Sequence, residues 1–187
     1  EGSEAAGKIA EYESAIGSLV RQDPSKITHI FFHSLVVDTA RAFDGDSKST
    51  GYNQVMTTVD EFNKICQQMY DRGFVLVRLH DIAEEVEDAE NGGIKMEYKD
   101  IMLPEGKQAF VMSQDDVCYY EYQKGDGLAE RMIVGEDGRP TCEYIDAGGK
   151  TLTGDYDLVP LLDRFIDEHP DFSYKGAKAA LAFTGYN

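Results

Sequence analysis

FVMSQDDV, residues 110–117, is an apolar run that meets two adjacent carboxylates, Asp115 and Asp116. The continuous apolar stretch before them predicts a short buried strand over residues 109–113. In α/β folds, sites are built at the carboxyl-terminal edge of parallel strands. Consecutive side chains on an extended chain point opposite ways, and in a turn they diverge less. Two carboxylates there can divide their work, one binding a cation and the other taking a proton, as metal-assisted hydrolysis requires. The plainer alternative is a turn or helix-cap aspartate, which is the commoner role of a bare Asp-Asp pair.

Upstream, ITHIFFHSLVV (residues 27–37) is β-branched and aromatic and predicts a strand ending near His33-Ser34. Residues 38–54, rich in Gly, Asp and Ser, predict a loop. Thr58 with Glu61 forms a capping box, and Val59, Phe62, Ile65, Cys66 and Met69 recur at helical spacing before Gly73. Residues 74–79 predict a strand, residues 81–87 a short helix, and residues 94–98 a short strand. Downstream, GEDGRP and DAGGK have the composition of hairpin turns, so residues 124–155 predict a β-hairpin insertion. Asp157 caps a helix over residues 157–168 that Pro170 ends, and residues 177–183 predict a last strand. Alternating strands and helices define an α/β fold.

Composition narrows the function. The 187 residues suit one domain with an appendage, and 42% apolar content supplies a core. Lys and Arg total 18 against 35 Asp and Glu, and a net charge of −17 repels nucleic acid and anionic membranes. No apolar run approaches the roughly 18 residues of a membrane span. Residues 1–26 predict a polar helical extension around Ile9, Tyr12, Ile16 and Leu19. It is either the start of an exported chain after leader removal or the start of an expressed piece. Cys66 reads as a small core residue. Cys118 and Cys142 lie in no CxxC pattern, and their pairing is open.

The segments FFHSLVV, EFNKICQQMYDRGFVLVRLHDI, LPEGKQAFVMSQDDV, DLVPLLDRFIDE and KAALAFTG, in this order, resemble the polysaccharide deacetylase (NodB-homology, carbohydrate esterase family 4-like) family over about residues 27–185. The resemblance implies a partial (β/α) barrel, incomplete after its early strands, with residues 124–155 as a β-hairpin insertion. It implies Asp115 as general base and Asp116 as ligand of a divalent metal, zinc. The reaction implied is hydrolysis of a carbon–nitrogen bond other than a peptide bond, removing acetyl from an N-acetylated (or O-acetylated) polysaccharide of cell wall or matrix. An extracellular or cell-surface location goes with it. Ser113 stands where the family has Thr, Gln114 where it has Phe, and Val117 where it has Gly, a residue that permits turns β-branched side chains resist. The family's H-x-x-x-H metal motif does not follow Asp116, where His169 is the one histidine. The chain alone is therefore expected to be inactive, its activity belonging to the parent protein. The alternative is a carbohydrate-binding module that kept the cleft and lost the chemistry.

Further residues have two readings each. His29 and His33 share H-x-x-x-H spacing, but four residues of strand span about 13 Å, too far to share a zinc, so the spacing reads as accidental. His33 alone lines the pocket or is a hydrogen-bonded histidine at a strand end. His80 lies near the site, or the His80-Asp81 pair caps a helix. Tyr119, Tyr120 and Tyr122 stack on a sugar or fill the core. Asp44-Gly45-Asp46 departs from a calcium loop at Lys48 and reads as solvated. A half barrel exposes a sheet edge that a second copy would cover.

Overall fold

The structure, a computed structural model, describes residues 2–185. In chain order the elements are α1 (Gly2–Gly17), β1 (Leu19–Arg21), β2 (Thr28–Phe32), α2 (Thr39–Ala42), α3 (Ser49–Val55) and α4 (Val59–Asp71). Then come β3 (Phe74–Leu76), α5 (Leu79–Ile82), β4 (Ala83–Glu87), β5 (Ile94–Tyr98), β6 (Met102–Pro104) and β7 (Gln108–Val117). The last are β8 (Arg131–Val134), β9 (Pro140–Ile145), β10 (Thr151–Gly154), α6 (Leu158–Glu168) and β11 (Ala180–Phe183).

β7 organises the core. It pairs in parallel with β2, β3 and β11. Phe110 faces Thr28 and Leu76, and Ser113 faces Phe31 and Ala180. A strand has two edges, so β2 takes one, while β3 and β11 lie end to end along the other. Phe110 and Met112 point into a core with Phe62 and Cys66 of α4 and Leu158 and Leu162 of α6. The opposite face carries Ala109 and Val111, which pack with Val75, Val77, Ile101 and Leu103. Beyond that cluster this face opens, and Phe31 is 58% exposed. Parallel sheets are normally covered on both faces.

The helices follow their sequence signals. Thr58 Oγ1 accepts from the Glu61 amide at 3.1 Å, and Glu61 returns an acceptor to the Thr58 amide at 2.9 Å. Gly73, at φ 81°, then turns the chain where a Cβ would meet the Gly106 carbonyl at 3.0 Å. Asp157 caps α6, and the chain leaves the helix at His169 before Pro170.

Several expectations are corrected. Residues 38–54 are not a plain loop: α2 and α3 lie there, the first capped by Asp38 through the Ala40 and Arg41 amides. Residues 83–87 are a strand, not helix, because β5 pairs with them as a hairpin. The strand expected over 74–79 stops at Leu76, and α5 begins at Leu79. The strand expected over 27–37 spans Thr28–Phe32, and that expected over 177–183 spans Ala180–Phe183. The extension over residues 1–26 is not wholly helical, since Leu19 belongs to β1, which pairs with β6. The 124–155 region is a three-stranded antiparallel sheet, β10-β9-β8, turning at residues 135–139 and 146–150. Cys142 and Tyr144 of its middle strand are buried, so it contributes to the core. Among the described residues none of the sheets closes into a barrel, and the architecture is mixed α/β. No helix among them is long and apolar enough to cross a membrane. None of the three cysteines forms a disulfide. Burial pushes the thiols of Cys66 and Cys142 up to about 12, which suits packing rather than reactivity.

Candidate functional site

The central strand does not stop before the carboxylates. β7 runs through Asp115 and Asp116 to Val117. Leu181 pairs with Gln114 and Phe183 with Val117, so two steps along β11 face three along β7. That extra residue is a β-bulge, and Asp116 carries it at φ 52°. Asp tolerates this left-handed conformation better than most residues with a Cβ. Val117 has no positive φ and is buried, so the special backbone lies at Asp116 and not at Val117. The bulge re-aims Asp116.

The two carboxylates have different surroundings. Ser113 Oγ donates to Asp115 Oδ1 at 2.8 Å, and His29 Nε2 lies 2.8 Å from the same hydroxyl. A hydroxyl has one proton, so with that proton on Asp115, His29 donates through Nε2–H. The relay lies on the open face of the sheet, as Ser113 is in register with the exposed Phe31. His29, read from its spacing as incidental, is in polar contact with the segment that carries Asp115. Its register opposite Val111 was the missing signal.

Asp116 instead lines an open cleft of about 390 Å³, together with His33, Cys118 and Tyr120. The far wall is the segment from Ser47 to Met56, which includes α3. Tyr120 and Tyr122 form the near wall, their rings stacked at 5.0 Å and 26°. The walls are joined by a cluster no sequence pattern announced. Asp126 accepts from the Tyr52 hydroxyl and from Lys48 Nζ, and Lys48 also donates to the Tyr122 carbonyl. Asp126 raises the Lys48 ammonium, and burial followed by Asp126 raises the Tyr52 hydroxyl far above its ordinary range. The one lysine of the cleft is therefore already neutralised.

Of the expected site residues, Asp116, His33 and Tyr120 share the cleft. Asp115 does not line it. Tyr119 is not a pocket residue: its hydroxyl donates to the buried Asp157 at 3.0 Å, and burial, then Asp157, pushes it strongly up. His80 does not reach the cleft either. It is exposed on α5 beside a separate depression with Lys178 and Ala180. Asp81 closes a capping box with Arg78. Burial raises its carboxyl, but the bonds from the Arg78 side chain and backbone outweigh burial and leave it lowered.

The fit to a metal is incomplete. Asp116, His33 and Cys118 line one cleft, yet among the described residues no group of three or more His, Cys, Asp or Glu is placed to hold an ion. A bound zinc ordinarily takes at least three protein ligands. Comparison with protein-family models, with curated proteins and with solved structures finds no match to this chain.

Proposed function

We propose that the chain is part of a polysaccharide deacetylase of the NodB-homology type, with the cleft at Asp116 as the acetylated-sugar site. The reading rests on one observation: Asp115 and Asp116 lie at the carboxyl end of the central parallel strand, and the bulge turns Asp116 into a cleft with His33. The open face of the parallel sheet agrees with an arc of barrel, the finer fold this reading carries. In it Asp116 is a ligand of zinc, while Asp115, the base the resemblance implied, does not line this cleft. The described residues do not by themselves complete that site, so no step is routed through the metal.

The test uses the full-length gene product. Zinc binding at micromolar affinity or tighter, lost in Asp116→Ala, with acetate released from N-acetylglucosamine oligomers, supports the reading. A full-length protein that binds no zinc and releases no acetate overturns it.

The stacked pair Tyr120 and Tyr122 favours a second reading, a carbohydrate-binding module without chemistry. Aromatic faces at a cleft whose lysine is neutralised suit an uncharged sugar ring. Oligosaccharide binding that ignores chelator and is lost in Tyr120→Ala selects this reading. No glycan binding removes it.

A further inference from the structure

Asp157 reads from sequence as a helix cap, and a cap needs only one acceptor. The structure gives it much more. Its Oδ1 accepts from the Leu158 amide at 2.9 Å, the Leu35 amide at 3.1 Å and Gln114 Nε2 at 2.9 Å. Its Oδ2 accepts from Gln114 Nε2 at 2.9 Å and the Tyr119 hydroxyl at 3.0 Å. The side chain is fully buried, and no Lys, Arg or His pairs with it among the described residues. Burying a carboxyl without a cation is costly, and Ser, Thr or Asn would cap α6 without that cost.

The partners explain its place. Leu35 follows His33 by two residues, Gln114 precedes Asp116 by two, and Tyr119 precedes Tyr120 by one. These are the segments that bring His33, Asp116 and Tyr120 to one cleft. They come from two separate parts of the chain, one at Leu35 and one running from Gln114 to Tyr119, and Asp157 bonds to both. Gln114 Oε1 is left without a partner in the core, so this residue too is oriented toward Asp157 rather than toward full satisfaction of its own amide.

We propose that Asp157 is the positioning residue of the cleft, fixing the segment that carries His33 relative to the segment that carries Asp116 and Tyr120. The inference concerns the geometry of the cleft and goes beyond the choice between deacetylase and binding module. Asp157→Ala removes the common acceptor. Asp157→Asn is selective: Oδ1 still serves Leu35 and Leu158, while an NH2 group faces Tyr119 and Gln114.

The experiment is NMR on the labelled chain with Asp157→Ala, Asp157→Asn and Leu162→Ala. Leu162 is a buried core residue on the same helix and controls for lost stability. In Asp157→Ala, the Leu35 amide is expected to exchange at least tenfold faster, and the Tyr120–Tyr122 inter-ring NOE to fall at least twofold. In Leu162→Ala both stay within twofold of their values in the parent chain once the change in global stability is subtracted. In Asp157→Asn, Tyr120 resonances shift and the Leu35 amide stays protected, an uncoupling that generic destabilisation does not produce. That variant decides the matter if Asp157→Ala does not fold. Equal responses in Asp157→Ala and Leu162→Ala, or an Asp157→Asn that moves both segments together or neither, overturn the proposal. None of these readouts needs a metal or a sugar, so failure of the deacetylase reading leaves the test intact.

Discussion

Tyr52 donates its hydroxyl to Asp126 at 2.7 Å across the cleft, joining positions 74 residues apart in sequence. The bond ties α3, the far wall, to the segment that follows the stacked tyrosines. Tyr52→Phe keeps the ring and removes the bond to a carboxylate, so a loss of about 1–2 kcal/mol in urea unfolding is expected. Asp126→Ala leaves Lys48 and Tyr52 without their acceptor and is expected to cost more. Hydrogen exchange then rises across residues 48–56. An Asp126→Ala protein with unchanged exchange there removes the tie as the element that holds the wall.

Asp116 sits at φ 52° in the bulge, and its tolerance of substitution should follow the backbone before the side chain. Asp116→Gly is expected to stay within about 1 kcal/mol of the parent, since Gly adopts this region freely but gains entropy when unfolded. Asp116→Val should cost roughly 1–2 kcal/mol from the left-handed conformation alone. Denaturant midpoints of the two variants give the order directly. Both should lose whatever ligand the carboxylate binds, so binding and stability separate at this position.

Asp157 predicts a pH dependence with a definite sign. Burial raises its carboxyl above the ordinary 3.8, opposed by the bonds from Gln114, Leu158, Leu35 and Tyr119. The folded chain then holds a proton that the unfolded chain has released, between 3.8 and the raised value. Its contribution to stability is full below 3.8 and is lost as pH rises through the folded value. Asp157→Asn does not titrate. The stability of the parent relative to this variant should therefore fall as pH rises from about 4, and a difference that grows with pH contradicts the raised carboxyl.

Phe62 is fully buried, with its ring edge-on to Phe32 at 5.1 Å. Phe62→Ala opens a void between α4 and the sheet and should cost roughly 3–5 kcal/mol, measured by chemical denaturation. A loss under 1 kcal/mol would mean that α4 is not packed as described.

Much of this frame was legible in the residues. The capping box and apolar face of α4, the Asp157 cap of α6 and the apolar centre of β7 are local signals, and each produced its element. Residues 38–54 misled because Asp38 caps α2 and Asp46 accepts the Lys48 and Ser49 amides in the turn ahead of α3, in a composition that otherwise reads as loop. Residues 83–87, AEEVE, have good helix formers, but pairing with β5 overrides that local preference. The site was legible where adjacency sufficed, as for Asp116 and Tyr120. It was not legible where a bulge or a distant partner decided which way a side chain faces. Tyr119 turns into the core because Asp157 lies there, and Lys48 meets Asp126 only through the fold.

The role of β7 as common partner has a consequence during synthesis. β2 and β3 both form their sheet hydrogen bonds with β7 and none with each other. Between Phe32 and Gln108 lie 108 − 32 − 1 = 75 residues. At ribosomal rates of about 5–20 residues per second, β2 spends roughly 4–15 s as an unmatched β-branched and aromatic segment. This is the interval in which the nascent chain is most exposed to wrong pairing, and a holding chaperone would act on it then.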